Sequence, residues 1–444
     1  MDEIRGPAHR NAGLVRKSAP APHQPDIRMY KGGQSAPARP AGPGAEKQPA
    51  RPGTEKQPKP AASAKPRTKK KVVDFSIPQK FDFSFFLIVI ILLTFGLVML
   101  FSATYASAKV NYGDSYYFIK RQLIFAAVGL AAMFIISFID YHILFTKVVL
   151  KAAIIIGIGM MLLVQFAGTT VNGAGPWLSV GEIAFQPSEV LKFITIMVIA
   201  EYMQRNYDKM KDFWHGFVPV IIRIGIACFL VVIQPHLSAT LIILMISTSM
   251  LFIGGAKGSH MALLLGGIAF AAIMVFTVFP LLGFDYVSER LISFQNPEAD
   301  ISDKTYQTYQ SLIAIGSGGL FGQGLGNSHQ KYSYLPFAQN DFIFSIICEE
   351  LGFVGAVVVI LLFIILIVRG FYIAASAPDK CGMLLCAGIV IQIGVQAFLN
   401  IAVASNAFFN TGVSLPFLSY GGTALMMQLG EMGVVLNISR KASI

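Results

Sequence analysis

Long apolar blocks, separated by short polar segments, dominate this chain. A helix needs about twenty apolar residues to cross the hydrocarbon core of a bilayer, so each block predicts a membrane-spanning helix. The blocks fall at residues 84–104, 122–140, 144–166, 186–203, 216–234, 237–255, 261–282, 342–368, 382–404 and 421–437. The pattern therefore predicts an all-α integral membrane protein with about ten transmembrane helices.

Composition supports this class and limits what the charge means. The chain has 444 residues, of which 54% are hydrophobic and 13% are charged, whereas soluble proteins carry about 25% charged residues. Residues 1–71 hold 16 Lys and Arg against 5 Asp and Glu, which accounts for the whole net charge of +11. The remainder is neutral, so the charge does not indicate a nucleic-acid-binding domain. The four cysteines show no metal-ligand or redox spacing.

The N-terminal segment differs in kind from the rest of the chain. Residues 1–75 are rich in Pro, Ala, Gly and Lys and have too few apolar residues to offset the entropy of ordering them. We expect a disordered, basic cytoplasmic tail, held near anionic lipid by its terminal Lys and Arg cluster. A docking arm for a cytoplasmic partner is the alternative. Residues 76–444 then form the transmembrane domain.

The distribution of Lys and Arg predicts the orientation of the chain. Segments 167–185 and 405–420 contain no Lys or Arg, whereas the alternate loops do. Because basic residues collect on the cytoplasmic side, both termini are predicted to be cytoplasmic. The long polar segment 283–341 is then a large extracytoplasmic loop between helices 7 and 8. Loops of this length are usually functional, so this one is the predicted working site.

Charged residues within the apolar blocks are also informative, because charges are costly inside a bilayer. Glu189 and Lys192 lie three residues apart, on one face of a helix that Pro187 should begin. They form either a structural ion pair or a polar wall of a substrate groove. Glu349 and Glu350 have no basic neighbour nearby in sequence.

Two further features remain open at this stage. Arg223, in the fifth block, is a candidate partner for one of the intramembrane acids. The glycine-rich run Gly316–Gly326 resembles a phosphate-binding loop but lacks a Lys-Ser/Thr ending. Close helix packing or a re-entrant turn explains it better.

Several motifs together resemble one family of proteins. They are NGAGPWL with FQPSEVLKF, QPHLSATL, NPEAD with YQTYQS, GQGLGNSHQKYSYLP, DFIFSIICEELG and TGVSLPFLSYGG. In order and spacing they resemble the SEDS family (shape, elongation, division and sporulation), in the FtsW and SpoVE branch. The resemblance covers residues from about 75 to 444 and implies a fold of ten transmembrane helices.

The resemblance implies a peptidoglycan glycosyltransferase in the cytoplasmic membrane of a bacterium. Such an enzyme polymerises lipid II into glycan strands on the outer face, releases undecaprenyl pyrophosphate, and serves cell division or sporulation septum synthesis. It works with a class B penicillin-binding protein, a transpeptidase, and with other division or sporulation membrane proteins. The alternatives are a lipid II flippase and a non-catalytic scaffold for the penicillin-binding protein.

The resemblance also selects one carboxylate as catalytic. Residue chemistry alone does not choose Asp300 over Asp285, Glu298, Asp303 or Asp341. In the SEDS family the essential acid follows an Asn-Pro or Asp-Pro pair in this loop, and Asp300 occupies that position. We therefore expect Asp300 to be the catalytic base.

Substrate-binding residues are predicted around this loop and at the start of the fourth helix. The candidate cations for the pyrophosphate are Arg290, Lys304 and Lys331, and a bound divalent ion is the alternative to them. No other cofactor is indicated. The remaining candidates for contact with lipid II are Gln186, Ser188, Glu189, Lys192, Gln310 and Ser419.

Overall fold

The computed structural model describes residues 81–170, 176–180, 183–234, 236–281, 294–298, 305–332 and 334–442. The predicted tail, residues 1–75, lies outside these ranges. Within them the chain forms eleven α-helices: α1 (Phe83–Tyr112), α2 (Tyr117–Phe138), α3 (Lys147–Ala167), α4 (Pro187–Arg205), α5 (Val218–Val232), α6 (Leu237–Ile253), α7 (Gly258–Leu281), α8 (Tyr306–Ser317), α9 (Ile343–Ala375), α10 (Lys380–Ala404) and α11 (Gly422–Lys441).

All ten predicted blocks overlap one of these helices, and the helical fold class is confirmed. Seven spans in the described ranges are long and apolar enough to cross a membrane, while α6 is apolar but shorter. Helices α4 and α11 carry many buried polar side chains instead. The count of ten transmembrane spans stays a prediction. Helix α8 is an addition, since the apolar pattern does not predict it.

Three short strands were also not predicted. They are β1 (Thr169–Thr170), β2 (Pro176–Val180) and β3 (Ile183–Phe185), and they lie between α3 and α4. They form one antiparallel sheet in the order β1-β2-β3, with Thr169 opposite Trp177 and Leu178 opposite Phe185. The sheet leads directly into α4, which begins at Pro187 as predicted.

Helix α10 is the central helix of the bundle. In its apolar window 78% of the residues are buried, compared with 6% in α7. Helices α4, α6, α9 and α11 all pack against α10. Its side chains therefore form much of the core, and polar groups on α10 have no access to solvent except through their neighbours.

Glycines allow α2 and α11 to pack closely. A Cβ atom on Gly129 of α2 would lie 2.7 Å from Leu429, and one on Gly433 of α11 would lie 2.6 Å from the Met133 carbonyl oxygen. Neither distance leaves room for a side chain. Small residues that let helix backbones approach are the usual basis of helix association in membranes.

An ion-pair network joins the helix ends at one end of the bundle. Asp82, which caps α1 through the Phe85 N–H, accepts hydrogen bonds from Arg369 at the end of α9. The ring of His142 bridges Asp140 (2.7 Å) and Asp379 (2.6 Å). The predicted cytoplasmic ends of α1, α2, α9, α10 and α11 thus meet on the same side, as the Lys and Arg pattern requires.

Both bridged carboxylates titrate below their ordinary range. Burial opposes ionisation of Asp140, but hydrogen bonds from Lys441 and from the His142 N–H lower its pKa to about 2. Burial likewise opposes ionisation of Asp379, yet the Gly382 N–H and the His142 ring lower its pKa. Asp379 is also the N-cap of α10. These acids therefore stabilise the fold when they are ionised.

Two substitutions at Asp379 distinguish its role as a helix cap from the effect of its negative charge. Asp379→Ala removes both and should lower the free energy of unfolding by about 1 kcal/mol or more, whereas Asp379→Asn keeps a capping oxygen and should lower it less. A carboxylate with a lowered folded-state pKa stabilises the protein above the unfolded pKa of about 3.9 and loses this effect as the pH falls further. The wild type and Asp379→Asn should therefore converge in acid. Thermal unfolding in detergent measures this, and equal midpoints for the wild type and Asp379→Ala at pH 7 would contradict it.

Candidate active site

The predicted catalytic segment is described on both sides but not at its centre. Asp300, Arg290 and Lys304 lie outside the described residues. Upstream, the Phe294 carbonyl accepts a hydrogen bond from the Asn406 amide (3.2 Å), which ties this loop to the segment between α10 and α11. Downstream, the chain enters α8 after Thr305, which is fully buried.

Helix α8 is fixed to the bundle by a buried hydroxyl pair. The Ser311 hydroxyl lies 2.6 Å from the Ser345 hydroxyl and donates to the Ala404 carbonyl (2.7 Å). These contacts join α8 to the start of α9 and to the end of α10. Gln310, a predicted substrate contact, is half-buried on the same helix. Helix α8 is therefore attached to both α9 and α10.

Helix α9 is broken at Gly352. This glycine has φ 67° and ψ −165°, which is far from helical. Residues 318–324, called the strap here, run beside the break. Their backbone exchanges four hydrogen bonds of 2.9–3.1 Å with α9: Gln323 to Glu349, Gly324 to Glu350, Phe353 to Gly319 and Val354 to Leu320. The polar backbone groups released by the break are thereby satisfied, as a membrane protein requires.

The glycines of the strap are required by its closeness to α9. A Cβ on Gly318 would clash with the Cys348 carbonyl oxygen, and one on Gly322 would clash with that of Glu350. Gly322 also has φ 78°, in the left-handed region that favours glycine. The glycine-rich run is therefore a close-packing element, as the sequence favoured.

Two glutamates of α9, just before the break, hold the loop that lies between the strap and α9 in the sequence. Glu350 accepts from Lys331 (3.1 Å) and from the Ser102 hydroxyl of α1 (2.7 Å). Glu349 accepts from the Ser328 hydroxyl and from the His329 N–H (2.8 Å). The partners that sequence left unassigned thus come from the polar loop itself, 19 to 21 residues upstream, and from α1.

This geometry bears on Lys331, a candidate cation for the pyrophosphate. Its side chain is 4% exposed, and its ammonium contacts both Glu350 and the Gly326 carbonyl. Lys331 is therefore held as the buried partner of Glu350. Any contact with a phosphate would require this ion pair to open.

A second polar cluster lies inside the bundle. Glu189 and Lys192 form the expected ion pair at 2.8 Å, and both are buried, as is Ser188. Gln186, the N-cap residue of α4, is half-buried. Glu431 of α11 lies close enough to interact electrostatically with this pair. Sequence reasoning missed Glu431, although an acid within a span is a usable signal.

Two other residues have defined local roles. Ser419, a predicted substrate contact, is buried and accepts from the Leu415 N–H (2.8 Å), which closes the turn before α11. Arg223 was a candidate partner for an intramembrane acid, but no ion pair joins it to an acid in the described part of the chain. Its guanidinium donates to the Pro219 carbonyl (2.6 Å) and lies over the Tyr202 ring.

Sequence reasoning missed one half-buried cation that lies next to the segment before α11. Arg121, near the start of α2, stacks on Tyr117 (4.4 Å) and hydrogen-bonds to Tyr420. Among the described residues, no three His, Cys, Asp or Glu side chains gather where they could hold a metal. A divalent ion held by residues outside those ranges stays a prediction.

Comparison with known proteins accounts for nearly all of the described chain. The cell cycle protein family FTSW_RODA_SPOVE matches residues 83–444. Stage V sporulation protein E of Bacillus subtilis is 38% identical over 81% of this chain and 97% of its own length. A probable peptidoglycan glycosyltransferase FtsW from Geobacter sp. (strain M18) is 36% identical over 81% of this chain and 97% of its own.

Solved structures share the fold. A chain of a peptidoglycan synthase complex superposes with a TM-score of 0.67 at 26% identity, covering 81% of this chain and 98% of that one. The rod shape determining protein RodA of Thermus thermophilus superposes with a TM-score of 0.58 at 24% identity, covering 82% and 98%. The resemblance noted from the motifs is thereby confirmed.

The Lys331–Glu350 pair predicts a specific pattern of stability. Lys331→Met leaves a buried carboxylate without its cation and should cost about 3–5 kcal/mol. Adding Glu350→Gln removes that charge, and Ser102 still has an acceptor, so the double variant should recover much of the loss. Unfolding midpoints of the two single variants and the double variant measure the coupling. Additive losses would mean that the two side chains do not form a pair in the membrane.

Proposed function

The chain belongs to the FtsW/RodA/SpoVE family of cell cycle proteins, and we propose that it is the peptidoglycan glycosyltransferase that polymerises lipid II at a bacterial cytoplasmic membrane. The observation that carries this is a match along residues 83–444 to relatives named as such glycosyltransferases. Likeness to a chain of a peptidoglycan synthase complex supports it. A multi-pass helical bundle suits a lipid-linked substrate, because the lipid needs a bilayer and the sugars need water.

The reaction requires one base. The 4-hydroxyl of one GlcNAc attacks the anomeric carbon of a MurNAc on another glycan chain, and the bond from that carbon to the pyrophosphate oxygen breaks. The pyrophosphate leaves with the bonding electrons without needing a proton, so the paired acid and base of glycoside hydrolysis are unnecessary. We assign Asp300 as the base that accepts the hydroxyl proton. General-base catalysis of this kind raises the rate about 10²–10⁴-fold. The rigid attachment of α8, which begins six residues later at Tyr306, supports this assignment.

The leaving pyrophosphate requires positive charge. Arg290 and Lys304 flank Asp300 in sequence and are the candidates we favour, with a divalent ion as the alternative. Lys331 is engaged by Glu350 and is better suited to holding the loop. Arg121 is a further candidate, because it is half-buried beside Tyr420 in the segment before α11. Gln186, Gln310 and Ser419 remain proposed contacts to lipid II.

The proposed reaction also implies an orientation and a partner. The loop around Asp300 faces outward and both termini face the cytoplasm, which the distribution of Lys and Arg supports. The partner is a class B penicillin-binding protein that cross-links the new strands. Residues 1–75 are proposed to contact anionic lipid or cytoplasmic partners and not to take part in catalysis.

A lipid II flippase or a scaffold would need different residues. A flippase would depend on membrane-embedded charges such as Glu189 and Lys192, and a scaffold on none of the polar groups discussed. The Glu189–Lys192 ion pair is buried within the bundle, with Lys192 only 1% exposed. The polymerase is therefore the function that the residues support best.

Asp300→Asn tests the catalytic assignment. The variant should fold normally and lose about 10²–10⁴-fold in glycan polymerisation, because an amide does not accept the hydroxyl proton. Purified protein, its cognate transpeptidase and labelled lipid II provide the assay. Glu298→Gln, at an exposed acid two residues upstream, is the matched control and should retain activity. Equal glycan yield from Asp300→Asn and the wild type would remove Asp300 from catalysis.

The Lys331→Met/Glu350→Gln double variant separates two roles for Lys331. If Lys331 only holds the loop, the variant that regains stability should also regain polymerisation. A variant that is as stable as the wild type but at least about tenfold slower, a difference of 1.4 kcal/mol in the barrier, would place Lys331 on the pyrophosphate. The unfolding midpoint and the glycan yield should be measured on the same preparation.

A further inference from the structure

Six polar side chains gather at the centre of the bundle, where α4, α10 and α11 meet. We call them the inner cluster. All are at least 92% buried, and none lies in the polar loop that carries Asp300. The members are Ser188, Glu189, Lys192, Gln392, Gln396 and Glu431.

Helix packing places these residues opposite one another. A Cβ atom on Gly388 of α10 would lie 2.5 Å from the Ile196 side chain of α4, so the two helices are adjacent at this level. The two helices run antiparallel in the predicted topology, so moving one turn along each brings Gln392 level with Lys192. A further turn brings Gln396 level with Ser188. The amide of Gln392 also donates to both Glu431 oxygens, at 2.9 and 2.8 Å, which joins α11 to the cluster.

If all its acids were ionised, the inner cluster would carry two negative charges and only one positive charge. Lys192 is bonded to Glu189 at 2.8 Å, which leaves Glu431 with an amide partner and no ion pair in the described part of the chain. The charged groups near Glu431 in those ranges are Lys192 and Glu189 alone, both on α4. Helix α2 packs on α11 through Gly129 and Met133, which carry no charge.

The two buried acids of α9 are engaged elsewhere. Glu350 on α9 pairs with Lys331, and Glu349 with the loop around Ser328. An ionised carboxylate buried without a cation costs several kcal/mol. Two carboxylates and one ammonium therefore require one more positive charge.

Oxygen atoms without a hydrogen-bond partner are independent evidence that the cluster lacks a proton. The Gln392 Oε1, Gln396 Oε1 and Ser188 Oγ atoms are buried and have no hydrogen-bond partner among the described residues. Each can accept a hydrogen bond, and buried acceptors rarely stay unpaired. The cluster thus contains several oxygen acceptors that a carboxyl O–H could satisfy.

We propose that the inner cluster is a proton-binding site and that Glu431 is a neutral carboxylic acid in the folded protein at neutral pH. A neutral carboxyl accepts the Gln392 N–H and offers one O–H to a neighbouring oxygen acceptor. It also leaves the Glu189–Lys192 pair electrically balanced. This site is separate from the proposed polymerase site and does not depend on that function.

Thermal unfolding against pH tests the proposal. Between the pH at which the unfolded side chain ionises, about 4.3, and the pH at which the folded one does, the folded state binds one more proton. Wild-type stability should therefore fall as the pH rises relative to Glu431→Gln, which is neutral throughout. Full-length protein in detergent should show the two midpoints converging near about pH 5 and the wild type falling below the variant by about pH 8.

Infrared spectroscopy gives a second readout that does not depend on unfolding. The wild type at pH 7 should show the stretching band of a protonated carboxylic acid, and Glu431→Gln should lack it. Glu201→Gln is the matched control, because Glu201 is a mostly buried acid of α4 that has its own partner, Arg205. This control should keep both the band and the pH dependence. If Glu431→Gln does not accumulate, Glu431→Met provides an uncharged side chain of similar length.

Three results would overturn the proposal. The first is a wild-type spectrum at pH 7 whose acid band is unchanged by Glu431→Gln or Glu431→Met. The second is the same pH dependence in the wild type and in those variants. The third is stabilisation by Na⁺ over K⁺ at equal ionic strength that Glu431→Gln abolishes, since the missing charge would then be sodium.

Discussion

The hydrogen bonds that α9 gives up at Gly352 are the constraint on which the polar loop and its attachment to the bundle depend. A backbone amide or carbonyl left unpaired in hydrocarbon costs several kcal/mol, so a broken membrane helix survives only where other polar groups replace the lost partners. The strap, residues 318–324, provides them from backbone atoms alone. Side chains would prevent this approach, which explains the glycines at 318 and 322.

The break also explains where two buried acids find their partners. Glu349 and Glu350 lie in the last helical turn before Gly352, facing the loop that the strap leads into. Their carboxylates bind Ser328, the His329 N–H, Lys331 and Ser102, so backbone and side chains hold the same segment. A loop attached in both ways is rigid without being apolar.

Much of the helical fold could be predicted from sequence because the bilayer sets a length that apolar blocks must meet. The break in α9 could not, since one glycine in a long apolar helix is usually tolerated. Helix α8 was missed because its twelve residues are too few and too polar for a span. The β1–β3 sheet has strands of two to five residues, too short for a clear alternation of polar and apolar positions.

Parts of the site were invisible to sequence for another reason. Ser102 and Glu350 are 248 residues apart, and Gln392 and Glu431 are 39 apart, so only packing brings them together. Asp300 was chosen over four neighbouring acids through the family motif, since nothing in its own chemistry distinguishes it. The ion pair of Lys331 with Glu350 was likewise invisible to sequence, because a basic residue in a polar loop reads as a ligand for phosphate as readily as a counter-ion.

The two buried clusters solve the cost of burying charge in different ways. At Glu350 the acid meets a lysine from a loop, so the pair contributes to stability only while the loop stays in place. In the inner cluster the lysine, Lys192, is already bonded to Glu189 on its own helix, and Glu431 arrives from another helix as a second acid. A proton is the smallest cation that removes this excess, and it requires no change in packing. The ion pair thus attaches a loop to the bundle, while the protonated acid completes the packing between helices of the core.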